Sequence, residues 1–298
     1  MNSLKEYSYW PHELIVIDNH STDGSYELFK EAGCKVIRNE RNLCYPESIN
    51  LGLAHAKGDF ICFLNNDVFC GVDWDKHLIH GMMMYNLDIV SPCGIERMPS
   101  LPLTHLFFKR WRRAGEKKHL NADPERLRRL LIYMYGGWEK FCNRVYEMYY
   151  PQIMEGIAGN CILWKRSVLE KIGFLDERIQ AADWDIYLNI RKRAEELGDV
   201  HRVMTVCWAY VHHFIRTTLK SKPEPFACTH PKLTLEEKWG KEEIKRLWAF
   251  PKEVRDRPSF YKEPIEYWKY KREKIKSRRT GTENENNWIQ FWKELDRA

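Results

Sequence analysis

The sequence contains no Cys-x-x-Cys pair, although nine of its 298 residues are cysteines. Zinc knuckles and the disulfide frameworks of small secreted proteins both depend on regularly spaced cysteines. The scattered cysteines therefore predict neither kind of site. A protein with this pattern is expected in a reducing, cytoplasmic compartment.

The sequence also lacks an apolar run near the roughly 20 residues that a membrane-spanning helix needs, and its first residues do not resemble a signal peptide. We therefore expect a globular protein that is not integral to a membrane. The net charge of +6 fits an anionic ligand, an anionic lipid surface or nucleic acid equally well. Because no motif of a nucleic-acid-binding fold accompanies the charge, no nucleic-acid partner is expected.

The first 64 residues alternate between strand and helix patterns. A continuous apolar run such as ELIVID at 13–18 is typical of a buried parallel strand. The predicted elements are strands at 13–18, 35–38 and 60–64 and helices at 25–32 and 48–57. This βαβαβ order predicts an α/β fold with a mostly parallel sheet flanked by helices.

The pattern changes after a further predicted strand at 87–91. Residues 98–152 carry no strand signal and are rich in Arg, Lys, Trp and Tyr, which predicts a helical basic insert with a helix from 124 to about 148. Further strands are predicted at 156–164 and 203–211, and further helices at 167–171 and 183–197. We expect residues 1–215 to form the main domain and 216–298 a C-terminal helical extension without a core of its own.

Polar side chains follow two of the predicted strands. Asp18 and Asn19 end the first strand, and Asn65-Asn66-Asp67 follows the strand at 60–64. The carboxyl ends of parallel strands meet at one edge of a sheet, so both groups can face one ligand. A carboxylate there can hold a divalent cation, because Mg²⁺ takes only one or two protein carboxylates beside phosphate oxygens and water. The alternative is that Asn-Asn-Asp is only a turn.

Three segments together resemble the family 2 glycosyltransferases, which have the GT-A fold. They are ELIVIDNHSTDGS, NLGLAHAKGDFICFLNND and GNCILWKRSVLEKIGFLDERIQAADWDIYLNIR, and they occur in the order of the family. The resemblance covers about residues 3–214. The sequence has Asn-Asn-Asp at the position of the family's Asp-x-Asp motif, a form that resembles the one in a rhamnosyltransferase-like branch.

The resemblance implies a role for each polar cluster. Asp18 and Asn19 would contact the nucleotide base, and Asp67, with Asn66 beside it, would hold a divalent cation, Mn²⁺ or Mg²⁺. Asp183 would be the general base of an inverting hexosyl transfer from a nucleotide sugar, with a mild preference for UDP- or dTDP-sugars. The family usually has Glu where this sequence has Ala182.

Asp183 also has a structural alternative, since a carboxylate at a helix start can cap the helix. His212 and His213 end the last predicted strand, and alternation sends only one of them inward. Some relatives place a histidine near this position as an extra metal ligand, which makes His213 a candidate ligand beside Asp67. The alternative is a pair of ordinary strand-end histidines.

The basic insert interleaves cations with aromatic residues at 107–113 (FFKRWRR) and continues with RLRRLL at 126–131. Such segments can contact lipid headgroups or a polyanionic acceptor, or simply form a solvated helical face. The expected partners are a nucleotide-sugar donor and a glycan, lipid-linked or protein acceptor. A peripheral membrane contact through the insert is a further expectation.

Members of the family begin with a strand and helix that this sequence does not match, since Met1 aligns with the end of that helix. One βα unit is therefore expected to be missing, which would expose strand edges within the sheet. This leaves two interpretations: an active inverting glycosyltransferase, or a catalytically degenerate relative that serves as a binding or structural protein. A nucleotidyltransferase would be expected to carry a Gly-rich phosphate loop, and none is visible.

Overall fold

The computed structural model describes residues 1–116, 123–215, 225–248 and 283–297, together with residues 268 and 272. The strands are β1 (Ile15–Asp18), β2 (Lys35–Arg38), β3 (Phe60–Leu64), β4 (Val68–Cys70), β5 (Ile89–Cys93), β6 (Ile153–Glu155), β7 (Cys161–Lys165) and β8 (Met204–His213). The helices are α1 (Asn2–Tyr7), α2 (Ser25–Glu31), α3 (Tyr45–His55), α4 (Trp74–Met84), α5 (Leu101–Glu116), α6 (Pro124–Tyr135), α7 (Trp138–Tyr149), α8 (Arg166–Ile172), α9 (Ala182–Glu196), α10 (Leu235–Trp239), α11 (Lys241–Leu247) and α12 (Glu283–Leu295).

Six strands form one mixed sheet in the order β3-β7-β5-β8-β4, with β6 also paired to β8. Within it, β3, β5 and β8 run in one direction and β4, β6 and β7 in the other. β1 and β2 pair in parallel as a separate two-stranded sheet. The predicted α/β class, with helices flanking the sheet, is confirmed. A mostly parallel sheet was expected, and among the described strands of the larger sheet only β5 and β8 pair in parallel.

The two sheets meet at α3, with no strand pairing between β1 and β3 in the described part of the chain. β1 pairs only with β2, and β3 pairs only with β7. Gly52 of α3 faces Ile17 of β1, while its neighbour Leu53 lies in the buried cluster that contains Ile61 of β3.

Two predicted elements are shortened or divided at glycines. The predicted strand at 156–164 begins only at Cys161, as β7, because residues 156–160 form a loop that starts at Gly156, whose φ is 143°, and β6 ends before this loop. The predicted helix from 124 to about 148 is instead α6 and α7, separated at Gly136, whose φ is 68°. Both predictions were wrong in this respect, because glycine at positive φ permits breaks that apolar periodicity does not reveal.

Alternate residues of the larger sheet pack into two buried clusters, one on each face. The cluster beside α4, α5, α6, α7 and α12 includes Leu78, Phe107, Phe141, Trp208 and Trp288. The cluster beside α3, α8, α9 and α11 includes Ile61, Trp164, Val168, Tyr187 and Leu247. Each fully buried large side chain contributes about 1.5–3 kcal/mol. Of the described residues in the C-terminal extension, Leu247 joins one cluster, and Trp288 and Trp292 join the other.

A disulfide joins Cys44, at the start of α3, to Cys228. The seven other cysteines are free. The sequence patterns predicted no disulfide framework and missed this single bond, because the two partners are 184 residues apart and meet only when the C-terminal segment returns to α3. The bond also removes the ground on which a reducing compartment was expected. Among the described residues, no helix is long and apolar enough to cross a membrane.

The disulfide should contribute measurably to stability. We expect the double variant Cys44→Ser/Cys228→Ser to lower the free energy of unfolding by about 2–4 kcal/mol under non-reducing conditions, because the cross-link restricts the unfolded chain. Urea unfolding with and without a reducing agent measures this. Reductant should lower the wild type to the level of the double variant and leave the variant unchanged. Cys34→Ser, at a half-buried free cysteine, is the control. A wild type insensitive to reductant would contradict the bond.

Candidate active site

Asp67 is placed by the short strand β4, which the sequence patterns did not predict. β4 pairs antiparallel with β8, so that Val68 lies opposite His213. The backbone N–H of Phe214 also donates to the carbonyl of Asp67 at 2.8 Å. These contacts hold Asp67, which directly precedes β4, against His213, the last residue of β8. A run of three apolar residues after Asn-Asn-Asp was too short a signal for a strand.

His213 bridges two carboxylates. Its Nε2 is 3.0 Å from Asp67 Oδ1, and its Nδ1 is 2.6 Å from Glu96 Oε2. Burial alone would lower the pKa of His213, but the hydrogen bonds to Asp67 and Glu96 outweigh it and raise the pKa to about 9. The imidazole is therefore cationic at neutral pH and neutralises one of the two acidic charges.

His212 faces the opposite side of β8. It is fully buried, its Nδ1 is 2.6 Å from the hydroxyl of Tyr135, and its ring packs edge-on against Trp111. Burial, with a smaller effect from the charge of His213, holds the pKa of His212 well below its ordinary value. Of the two adjacent histidines, His213 is thus the one beside Asp67.

The donor atoms of Asp67 and His213 suit a divalent cation such as Mn²⁺, which accepts both carboxylate oxygen and imidazole nitrogen. Both side chains are only 13% exposed, so a cation between them would be largely shielded from solvent. Two side chains are fewer than a structural metal site requires, which leaves further positions for phosphate oxygens and water. Among the described residues, the one group of three side chains with closely spaced ligand atoms is Cys44, Glu47 and Cys228, whose sulfurs form the disulfide.

Asp183 lies in the first turn of α9. The N-cap is Ala181 and makes no side-chain cap, so the alternative that Asp183 is the N-cap is not met. The Asp183 carboxylate lies directly over Gly159, where any Cβ would overlap it. Asp185 points elsewhere and accepts hydrogen bonds from Lys238 at 2.8 Å and Trp239 at 2.7 Å. The two acidic residues of this turn therefore have different surroundings.

Tyr45, at the start of α3, lies between the two acidic positions and was not predicted from the sequence. Its hydroxyl lies 3.2 Å from Asn65 Oδ1 and 3.4 Å from the carbonyl oxygen of Gly159, and its single proton can be donated to either or shared between them. Burial, and then the charges of Asp183 and Asp67, raise the pKa of Tyr45 above its ordinary value. The phenol therefore stays protonated and keeps its donor role.

Asn19 has all of its amide hydrogen-bonding capacity engaged. Its oxygen accepts from Asn39 Nδ2 and Leu43 N, and its nitrogen donates to Asn42 Oδ1 and the Leu43 carbonyl, at 2.7–2.9 Å. The residue thus fixes the loop before α3. That it also contacts a nucleotide base stays a prediction.

Asp18 is buried beside Asn19. One carboxylate oxygen accepts from the N–H of Ser21 at 3.3 Å, and the other is 3.3 Å from Nε of Arg38. That second oxygen has no hydrogen bond with good geometry among the described residues. Asn66, beside Asp67, is exposed.

Hydrogen bonds connect these positions through two short segments. The loop at 42–45 contacts Asn19 through Leu43 and Asn65 through Tyr45. The turn at 159–160 lies under Asp183, accepts from Asn65 N at the Asn160 carbonyl, and reaches Glu96 through the Asn160 side chain at 3.4 Å. The predicted residues of β1, β3, α9 and β8 thus belong to one connected site.

The segment from Ala227 to the end of α10 runs beside the site. Ala227 N donates to the carbonyl of Asn42, and Leu233 N donates to that of Arg178, close to α9. The disulfide and the bonds to Asp185 hold the same segment. The C-terminal extension therefore links the loop before α3 to the loop before α9.

Most aromatic side chains of the basic insert pack into the core. Phe107 and Trp111 are buried. Arg110 is buried as well, and donates to Asp296 at 2.8 Å and to the carbonyl of Tyr133. The exposed cations of α5 and α6 are Lys109, Arg112, Arg113, Arg128 and Arg129. The insert thus presents a charged outer face over an apolar inner one.

A sequence model of glycosyl transferase family 2 matches residues 1–173, more than half of the chain. The chain belongs to this family. The predicted family is therefore confirmed, while the match does not distinguish a rhamnosyltransferase-like branch. No curated protein matches the chain in sequence.

Solved structures with a related arrangement include GalNAc-T7 with UDP, GalNAc and Mn²⁺, at 15% identity and a TM-score of 0.47. They also include TarS 1-349 of S. aureus, at 15% identity and a TM-score of 0.42, and its complex with UDP-GlcNAc, at 18% identity and a TM-score of 0.42. Each match covers 71% of this family 2 chain. The chain spans 39% of the GalNAc-T7 chain and 54% and 52% of the two TarS chains.

The contact between Gly159 and Asp183 is directly testable. We expect Gly159→Ala to lower the free energy of unfolding by about 1–3 kcal/mol, because the added methyl group overlaps the Asp183 carboxylate. Combining it with Asp183→Ala should recover part of this loss, and urea unfolding of the four proteins measures the coupling.

Gly52→Ala is the matched control, since a methyl group there would make only an ordinary 3.5 Å contact with Ile17 and alanine favours a helix. We expect it to leave stability unchanged or to raise it. Strictly additive effects of Gly159→Ala and Asp183→Ala would mean that the two residues do not touch.

Proposed function

We propose that the protein is an inverting glycosyltransferase that moves a hexosyl group from a nucleotide sugar to an acceptor hydroxyl. The observation that carries the proposal is the arrangement of Asp67 with His213 on one side and Asp183 over Gly159 on the other, connected by the hydrogen bonds of Tyr45 and Asn160. Family membership supplies the reaction class.

Asp67 and His213 would hold a divalent cation, Mn²⁺ or Mg²⁺, together with oxygens of the donor's diphosphate. A cation bound there would offset the negative charge that the diphosphate gains as the glycosidic bond breaks. The imidazole favours Mn²⁺ over Mg²⁺. In this assignment the Asn-Asn-Asp segment supplies one carboxylate ligand, that of Asp67.

Asp183 would take the proton from the acceptor hydroxyl as its oxygen attacks the anomeric carbon opposite the leaving diphosphate. Attack from that face inverts the anomeric configuration and requires no covalent intermediate with the protein. The glycine at position 159 lets the carboxylate lie against the backbone, and Tyr45 holds that backbone from the other side. Ala182 leaves Asp183 without the neighbouring Glu that the family usually has.

Asp18 would accept from the base of the nucleotide, with Asn19 shaping the loop that carries it. Its second oxygen lies 3.3 Å from Nε of Arg38, beside the end of β1. A carboxylate acceptor matches the N3–H of uracil or thymine, so UDP- or dTDP-sugars are the proposed donors. The Asn-Asn-Asp sequence at 65–67, which resembles a rhamnosyltransferase-like branch, is compatible with dTDP-linked sugars.

The acceptor is proposed to be a glycan, a lipid-linked sugar or a protein. Because the apolar faces of α5 and α6 pack into the core, a membrane contact of the basic insert would be electrostatic and peripheral. The exposed cations of the insert support this contact.

A glycosyltransferase-like binding protein without turnover is the second candidate. In the described part of the chain β1 and β3 do not pair with each other, and the amide of Asn19 is saturated. Both features leave fewer groups to orient a bound donor for transfer, which favours this candidate. Such a protein would bind a nucleotide sugar without breaking its glycosidic bond.

Two substitutions separate the assigned roles. We expect Asp67→Ala to abolish metal-dependent binding of the donor, since it removes the carboxylate ligand. Asp183→Asn should keep donor binding but lower turnover by about 10²–10⁴-fold, because it removes only the general base. Turnover of UDP-, dTDP- and GDP-sugars with Mn²⁺ or Mg²⁺ and calorimetric donor binding measure the two effects.

Asp199→Asn is the control, because that carboxylate pairs with Arg193 on the surface. It should match the wild type in both assays. Binding without turnover in the wild type would favour the second candidate. The absence of any nucleotide binding in the presence of metal would exclude the transferase and leave only a structural role.

A further inference from the structure

Glu96 is the acidic residue of the site that neither the strand patterns nor the family resemblance assigned. We propose that Glu96 is a positioning residue, which orients His213 so that Nε2 faces a cation held with Asp67. The inference rests on the proposed function. Glu96 would raise the affinity of the site for the cation without contacting the cation itself.

The ring of His213 has a different partner on each nitrogen. Nδ1 is 2.6 Å from Glu96 Oε2, while Nε2 is 3.0 Å from Asp67 Oδ1. A metal-binding histidine commonly donates its second ring N–H to a carboxylate, which fixes the tautomer and the ring orientation. Here the bond to Glu96 keeps a proton on Nδ1, so Nε2 is the nitrogen that can bind a cation once the cation displaces the proton that Nε2 shares with Asp67.

Glu96 is itself held in place. It lies in a tight turn after β5, closed by backbone hydrogen bonds in both directions between Gly94 and Arg97, at 3.0 and 2.9 Å. Its carboxylate also accepts from Asn160 Nδ2 at 3.4 Å and is 19% exposed. The carboxylate therefore cannot turn away from His213 without giving up contacts to the turn that lies under Asp183.

The geometry also separates Glu96 from Asp67. The two nitrogens of an imidazole point away from each other, so the two carboxylates lie on opposite sides of the His213 ring. Consistently, no group of three closely spaced ligand atoms forms from these residues within the described part of the chain. Glu96 thus acts on the cation through His213, by orientation and by the added negative charge that makes the imidazole a stronger donor.

Calorimetric titration with Mn²⁺, alone and with UDP present, tests the proposal on the full chain. We expect Glu96→Ala to raise the Kd for Mn²⁺ by about 10–100-fold, the usual effect of losing such a partner. Glu96→Gln should fall between the wild type and Glu96→Ala, because its amide oxygen can still accept from Nδ1–H. Thermal melts verify that each variant is folded, and the nearly isosteric Gln variant keeps the test decisive if the Ala variant does not fold.

Glu177→Ala is the matched control, since Glu177 contacts a histidine, His230, at 3.3 Å outside the cation position. It should leave the Kd for Mn²⁺ unchanged. The inference alone is overturned if both folded Glu96 variants bind Mn²⁺ like the wild type while Asp67→Ala does not bind. A wild type that binds no Mn²⁺, with or without UDP, overturns the proposed cation site and this inference together.

Discussion

The antiparallel pairing of β4 with β8 is the constraint on which the candidate site depends. It involves only three residues of β4, yet it sets Asp67 against His213 and directs His212 into the aromatic cluster on the other face. A slip of one residue in this register would exchange the two histidines, because side chains alternate along a strand. The packing of His212 against Trp111 and Tyr135 therefore helps to fix the register that the site needs.

The turn between β6 and β7 connects this pairing with the proposed base. Gly159 makes room for Asp183, and Asn160 reaches both Asn65 and Glu96. The loop before α3 plays the same part on the side proposed to bind the nucleotide, where the disulfide ties it to the C-terminal segment. A site built from four distant parts of the chain is thereby held by short, local contacts. The C-terminal extension, which the sequence presents as an appendage, contributes to this support.

Much of the fold could be predicted from the sequence where the patterns are long and regular. β2 and β3 lie at their predicted bounds, and α9 agrees to within a residue, because apolar runs and helical spacing determine them. Asp67 could be selected because polar residues at a strand end are a local signal, whereas Asp183 and His213 were selected through the resemblance to the family. Glu96 and Tyr45 could not, since a single Glu or Tyr has no pattern and gains its place through tertiary contacts. The pairing of Cys44 with Cys228 could not be predicted either, because it also arises only through tertiary contacts. The pairing of β4 could not be predicted because the strand has only three residues.

The central claim is that this pairing builds a cation position at Asp67 and His213, and crystals of the full chain grown with UDP and Mn²⁺ test it most directly. Anomalous diffraction at the manganese absorption edge would locate the ion. The account predicts an anomalous peak in contact with both Asp67 and Nε2 of His213 and with the diphosphate of UDP. Bound UDP with the peak away from both side chains, or with no peak at all, would contradict it.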